Sequence, residues 1–374
     1  MRFCDVSMFW SESGGGVRRY LEMKRSWLAR TRPEDDHLLV IPGAGSGMLT
    51  DGGHWVARVP SMGIPFAPGY RIPVLKTGTV RVLDRWNPSL IECGSPFVMR
   101  RAVSLFRSRT GTPVFDYYHA YFPRNYTAAV CPRRPGLRRL LEACGWSWLR
   151  RAYRDSTRVF VASPTVAEDL RRHGITNTEQ APLGVDLELF RVKRLGEESE
   201  APSMLFAGRL TEEKGLSAVL DCYLELRRRR AGVSLTVVGD GLLRGRIEAL
   251  AARDPGVRFR GFLSQPELAA AYREAWLLLS AAPAETLGLC FLEALASGTP
   301  VVGLSGSGLM DTFPTEVSRA VGPGGGGPLA DAVLDVIGSR PAPSACRSVA
   351  EGYGWEAGLS RILSREIELA RRAR

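Results

Sequence analysis

With 374 residues, 45% of them hydrophobic, and a mean hydropathy of -0.08, the chain has room for two domains with separate cores. No run approaches the roughly 18–20 apolar residues that cross a bilayer, and the opening MRFCDVSMFW lacks the basic start, apolar core and small-residue cleavage site of a secretory signal. The net charge of +11 is unevenly held: residues 1–190 carry 27 Lys and Arg against 17 Asp and Glu, the remainder 23 against 22.

In chain order, residues 2–9 read as a strand. Gly14, Gly15 and Gly16 follow, and VRRYLEMKRSWLAR has helical spacing of its apolar residues. A strand, a glycine turn and a helix open a nucleotide-binding type of α/β unit. HLLVIPG (37–43) and SLIEC (89–93) are further strands, and Pro96 begins the helix FVMRRAVSLFRSR. PVFDYYH (113–119) is a strand ending in His119. RVFVAS (158–163) is another, after which Ser163 and Pro164 cap a helix that stops at Gly174. The Gly- and Pro-rich interval 43–82 gives no clear pattern.

The polar stretch after Asp186 predicts a linker over 191–202, between a first domain of 1–190 and a second of 203–350. There the alternation is cleaner. SMLFAG, SLTVVGDG, VRFRGF and WLLLS read as strands, separated by helices over 216–229, 242–252 and 266–275. Short apolar runs alternating with helices predict parallel sheets covered on both faces, with ligands beyond the C-terminal strand ends. PGGGGP (323–328) reads as a flexible turn. The terminal stretch 351–374 reads as a helix that packs back on the first domain.

PAETLGLCFLEALASGTPVV (283–302) is a loop, a helix and a buried strand. The N–H groups of Leu287, Gly288 and Leu289 fall at a helix N-terminus, a natural anion site. Glu285 and Glu293 on either side suit sugar or ribose hydroxyls. Seven dispersed cysteines without a C-x-x-C pair point to a reducing cytoplasm and away from disulfides or zinc. There is no D-x-D motif, and PEDDH (33–37) reads as solvated surface, so no metal site is expected.

Four elements in order, GGGVRRY, PLGVDLELF (182–190), FAGRLTEEKG (206–215) and the E-x7-E of Glu285 and Glu293, resemble the family 4 glycosyltransferases. These are retaining enzymes of the GT-B fold, two Rossmann-like doubly wound domains facing a central cleft. The resemblance is densest from Pro202 to Val302. It implies that Arg209 and Lys214 hold the donor diphosphate, with Gly15, Gly16 and Gly208 allowing close backbone approach. It also implies that Glu285 contacts the sugar and Glu293 the ribose, and that His119 lies near the sugar. Gly261 and Phe262 become neighbours of the base, although Phe262 reads equally as a packing residue. Two cations at a strand end can neutralise a leaving diphosphate without a metal, so no cofactor is expected beyond the donor, a UDP- or GDP-linked sugar. Asp311 stands where the family usually has a glutamate.

The segment 131–158 holds eight arginines, two acids and two tryptophans. Interleaved on a helix, these suit an anionic membrane surface. A solvated arginine face with its tryptophans in the core is the competing reading. The acceptor is then lipid-linked or otherwise anionic, and nucleic acid is not expected. Two functional readings remain: a nucleotide-sugar glycosyltransferase, cytoplasmic with peripheral membrane contact, or a GT-B protein that binds a nucleotide sugar without transferring it, as a non-catalytic partner or an isomerase-like relative.

Overall fold

The computed structural model describes residues 1–10, 15–51, 54–64, 69–124 and 135–372. Gly14 of the glycine run and residues 131–134 of the basic segment lie outside the described residues. The chain divides into two units. The first is formed by the described residues of Met1–Pro123, Cys131–Leu183 and Glu356–Arg374, the second by Arg124 and Gly184–Trp355.

In the first unit the strands are β1 (Arg2–Val6), β2 (Asp36–Gly43), β3 (Gly47–Asp51), β4 (His54–Gly63), β5 (Arg71–Pro73), β6 (Leu90–Cys93), β7 (Val114–Tyr117), β8 (Arg158–Val161) and β9 (Thr178–Gln180). They run in the order β3-β4-β2-β1-β6-β7-β8-β9, with β5 beside β4. Pairing is parallel except at β3–β4 and β4–β5. The helices are α1 (Gly16–Thr31), α2 (Lys76–Trp86), α3 (Val98–Thr110), α4 (Pro135–Tyr153) and α5 (Pro164–Arg172). The expected strand over 2–9 stops at Val6, where Ser7 turns its amide back to the Val40 carbonyl. The interval 43–82 holds β3, β4, β5 and α2. Its alternation is concealed by Gly and Pro, yet Ala57, Val59 and Ser61 point inward while Arg58, Pro60 and Met62 face solvent. Ser163 caps α5, its Oγ accepting from the Val166 amide, and Gly174 takes φ +79 just beyond the helix end.

The second sheet runs β12-β11-β10-β13-β14-β15 and is wholly parallel. Its strands are β10 (Ser203–Ala207), β11 (Ser234–Val238), β12 (Val257–Gly261), β13 (Leu277–Ser280), β14 (Val301–Leu304) and β15 (Ser318–Val321). The helices are α6 (Leu216–Arg228), α7 (Arg244–Ala251), α8 (Gln265–Glu274), α9 (Leu289–Ala296), α10 (Gly326–Ser339) and α11 (Pro343–Glu351). Leu, Val and Ile from strands and helices meet in one core that includes Leu220, Tyr223, Val237, Leu279 and Val333.

Two segments differ from expectation. The polar stretch 191–202 belongs wholly to the second unit. Its charges are fixed there: Arg191 donates to Glu197 at 2.8 Å, and Lys193 to Glu198 at 2.9 Å and to the Ala275 carbonyl at 2.7 Å. The PGGGGP run is not all turn, because Gly326 and Gly327 begin α10. A Cβ on Gly326 would lie 2.6 Å from the Asp221 carbonyl group, so glycine lets this helix approach the backbone of α6.

A last helix, α12 (Trp355–Arg372), places all but its first residue in the first unit. There Glu366 joins a buried charge cluster. Lys24 on α1 lies 2.8 Å from Asp5 on β1, 2.8 Å from Glu92 on β6 and 3.8 Å from Glu366. Tyr20 donates to Glu92 at 2.8 Å, and His37 meets Asp5 at 2.8 Å. Burial opposes charge on Asp5, but Lys24 and His37 outweigh it and hold its carboxyl well below the usual range. Burial dominates at Glu366 and pushes its carboxyl well above the ordinary 4.5 despite Lys24.

The folded state therefore keeps a proton on Glu366 that the unfolded chain releases above about pH 4.5, and stability falls as pH rises through that interval. Glu366→Gln, which keeps the shape without the charge, is expected to raise Tm at pH 8 by roughly 2–4 °C and to leave it nearly unchanged near pH 4. Thermal unfolding at both pH values checks this. A Tm lowered at pH 8 would show that the ionised carboxylate is the form the cluster requires.

Candidate functional site

In the second unit the expected donor residues gather at the C-terminal ends of β10, β11 and β13. Beyond β10, Gly208 donates its amide to Val238 at 3.0 Å and Leu210 donates to Asp240 at 2.9 Å. Gly239 takes φ +133 directly over this crossing, where a Cβ would stand 1.8 Å from the Gly208 carbonyl oxygen. The two glycine turns thus pack backbone on backbone, and the chain leaves β10 with Arg209 facing outward. Arg209 is 60% exposed and pairs with Glu213 at 2.7 Å.

Lys214 arrives by a second close approach. After the short turn Glu212–Lys214, Gly215 takes φ +72, and a Cβ on it would lie 2.0 Å from the Ala281 carbonyl oxygen just past β13. Only glycine allows α6 to start against that strand end. Lys214 Nζ then lies 2.5 Å from Glu285 Oε1, with both side chains partly accessible.

The Glu285 loop is held by the loop after β14. Gly308 and Leu309 donate their amides to the carbonyls of Glu285 and Leu287, each at 3.1 Å, and Ser307 Oγ donates to the Ala282 carbonyl at 2.7 Å. Asp311 accepts from the Gly306 amide at 2.6 Å, so the residue that departs from the family pattern tightens this second loop. Gly288, in the left-handed region at φ +81, precedes Leu289, the first residue of α9. Glu293, one turn into α9, is buried and accepts from Tyr272 Oη at 2.9 Å. Gly261 ends β12 at φ +65, and its carbonyl accepts from the Gly239 amide at 2.8 Å. Phe262 is 70% exposed, which rules out the packing role that the sequence left open for it.

Gly15, Gly16 and His119 belong to the first unit. Gly15 is exposed at φ +122, and Gly16 is the first residue of α1. His119 lies two residues past β7. Its ring stacks on Tyr117 at 4.3 Å and packs against Tyr20 at 5.3 Å. Gly94 gives it room, since a Cβ there would stand 3.1 Å from His119 Cδ2. Burial, aided by the Lys24 ammonium, pushes the imidazole down to about 3, so it is neutral at any physiological pH.

Two family models match the chain. "Glycosyltransferase Family 4" covers residues 14–189 and "Glycosyl transferases group 1" covers residues 201–339. The chain belongs to the family 4 glycosyltransferases. It is an enzyme of the GT-B fold, built from the two parallel-sheet units described above. One relative of this glycosyltransferase is the GDP-mannose-dependent alpha-(1-6)-phosphatidylinositol dimannoside mannosyltransferase of Mycobacterium tuberculosis, 29% identical over 97% of this chain and 95% of that one. The GDP-mannose-dependent alpha-mannosyltransferase of Corynebacterium glutamicum is 28% identical over 74% of this chain and 66% of its own length. Among solved structures, sucrose-phosphate synthase from Thermosynechococcus elongatus aligns with a TM-score of 0.80 at 20% identity, covering 99% of this chain and all of that one, a likeness of fold.

Sequence reasoning missed the Lys24 cluster that supports His119 from behind. A signal was present: Lys24 lies on the same α1 stripe as Tyr20, Leu21, Trp27 and Leu28, all of them buried. A lysine inside an apolar stripe implies buried carboxylate partners.

Proposed function

We propose that this glycosyltransferase moves a mannosyl group from GDP-mannose to a hydroxyl of a lipid-linked acceptor, with retention of configuration and without a metal. The observation that supports this most is the grouping of Arg209, Lys214 and Glu285 beyond the strand ends of one sheet, on backbone crossings that only glycine permits. In this reading Arg209 and Lys214 receive the diphosphate, with the start of α9 at Leu287, Gly288 and Leu289. Glu285 accepts from the sugar hydroxyls and Glu293 from the ribose, while Gly208, Gly261 and Phe262 border the nucleotide. Gly15 and Gly16 let backbone approach the phosphate, and neutral His119 serves as a hydrogen-bonding group rather than a cation.

The choice of GDP-mannose rests on the two mannosyltransferase relatives, both named for an alpha product. Mannose is α-linked in GDP-mannose, so an alpha product retains configuration. The C1–diphosphate bond breaks on the face where the acceptor oxygen bonds to C1, and a diphosphate oxygen takes the acceptor proton. The lipid acceptor follows the phosphatidylinositol dimannoside named for one relative and the positive first unit.

The basic helix is a weaker argument for membrane contact than its sequence suggested. Trp146 is buried and stacks on His173 at 3.7 Å, and Trp148 donates to the Pro96 carbonyl at 2.9 Å beneath Arg101. The solvent face of the helix carries its arginines, among them Arg150 and Arg151, together with the exposed Leu137 and Leu140. Among the described residues no helix is long and apolar enough to cross a membrane, so any attachment through them is peripheral.

GDP at millimolar concentration with EDTA present is expected to raise Tm by several degrees, through binding to the folded state alone. A panel of sugar nucleotides, followed by hydrolysis, should show turnover of GDP-mannose. No shift with GDP and hydrolysis of a different donor would overturn the choice of nucleotide and sugar.

A further inference from the structure

The interval 43–82 contributes an exposed apolar surface that the donor site does not use. In the ladder between β4 and β5, Met62 pairs with Ile72. A directly opposed pair projects from one face of the sheet, and these two are 65% and 41% exposed. Past β5, Val74 and Leu75 are also exposed, Leu75 at 65%, as the chain enters α2. Four large apolar side chains thus stand in solvent within fourteen residues. Scattered exposed hydrophobics need no explanation, whereas a contiguous group marks an interaction surface.

Two observations indicate what covers it. The first is charge. The thirty residues from His54 to Leu83 contain Arg58, Arg71, Lys76 and Arg81 and no acidic residue. Arg58, Lys76 and Arg81 are exposed, while Arg71 is tied to the Ser61 carbonyl at 3.0 Å. Exposed apolar side chains in a stretch whose only charges are positive suit the boundary between acyl chains and anionic headgroups. The second is position. The hydroxyl of Tyr70, one residue before β5, lies 4.0 Å from where a Cβ of Gly15 would stand, so this hairpin borders the glycine loop.

We propose that Met62, Ile72, Val74 and Leu75, with Lys76 next in sequence, form the surface by which the first unit docks on an anionic lipid bilayer next to the glycine loop. The inference deepens the lipid-acceptor reading and rests on it. A lipid-borne hydroxyl would reach the glycine loop without leaving the membrane, because the docking surface and that loop are neighbours in one unit.

The test is flotation of the full chain with vesicles of phosphatidylglycerol and phosphatidylcholine, and with phosphatidylcholine alone. The expected result is binding to the anionic vesicles only, weakened by salt. Binding should fall at least about tenfold in Met62→Gln/Leu75→Gln, with Tm and GDP-mannose hydrolysis in solution unchanged. These side chains are solvent-exposed, so the substitution leaves folding intact, and the Tm control establishes that. No binding by the parent protein, equal binding by the double variant, or loss confined to Arg150→Glu/Arg151→Glu would overturn the proposal. A parent that instead self-associates through this face, becoming monomeric in the double variant, would also overturn it. Failure of the donor reading shows separately, as absent hydrolysis in every variant including the parent.

Discussion

Alanine at Arg209 or at Lys214 is expected to lower sugar transfer by about 100- to 1,000-fold, mainly in kcat, the usual cost of removing one preorganised group that meets developing charge. The charge in question is that of the departing diphosphate, which these two cations would balance in the proposed reaction. Arg209 is the cleaner probe. It is 60% exposed and pairs only along its own segment with Glu213, so its removal disturbs little else. Arg209→Lys, which keeps the charge and loses the planar fork, should recover part of the rate. Lys214→Ala also releases Glu285 from its ion pair. Glu285→Gln separates those effects, since it should cut turnover at least about tenfold while GDP still raises Tm. A protein that only binds nucleotide sugars would show no turnover in any of these forms. Less than a tenfold loss on removing Arg209, with unchanged stabilisation by GDP, would reject its assignment to the diphosphate.

The second large effect is on stability. Lys24→Met is expected to destabilise the protein by about 3–5 kcal/mol, the cost of breaking a buried ion pair by removing one partner. Methionine fills the space of the lysine stem but leaves Asp5 and Glu92 without the ammonium that each now meets at 2.8 Å. Chemical denaturation of the variant and of Lys24→Met/Glu366→Gln measures the loss. The double variant should recover some of it, because Glu366→Gln removes the need to bind a proton in order to bury that side chain. Equal stability of the parent and Lys24→Met would mean that the cluster is hydrated.

The alternation of strands and helices was legible because parallel strands buried on both faces read as unbroken apolar runs. SMLFA, SLTVV and LLLS appear as strands where periodicity and flanking glycines place them. That the candidate site residues of the second unit would lie together was legible because motif order survives when three-dimensional neighbours are far apart in sequence. Spacing alone could not show that Lys214 meets Glu285 across 71 positions, since Gly215 and the Ala281 carbonyl make that contact. The 43–82 interval stayed obscure because its antiparallel edge is short and interrupted by Gly and Pro. The polar stretch 191–202 resembled a linker because composition reports charge and not the partner that neutralises it.

The return of α12 to the first unit also bears on how the chain is made. The strands of the second unit all lie between Gly184 and Trp355, so they leave the ribosome together. The first unit waits for Glu366 and its neighbours, which follow the second unit in the sequence, to close over Lys24. The unit whose sheet comes first in the sequence is therefore completed only after the other has been made. Until then the part of the α1 face that Glu366 closes over remains for a chaperone to cover.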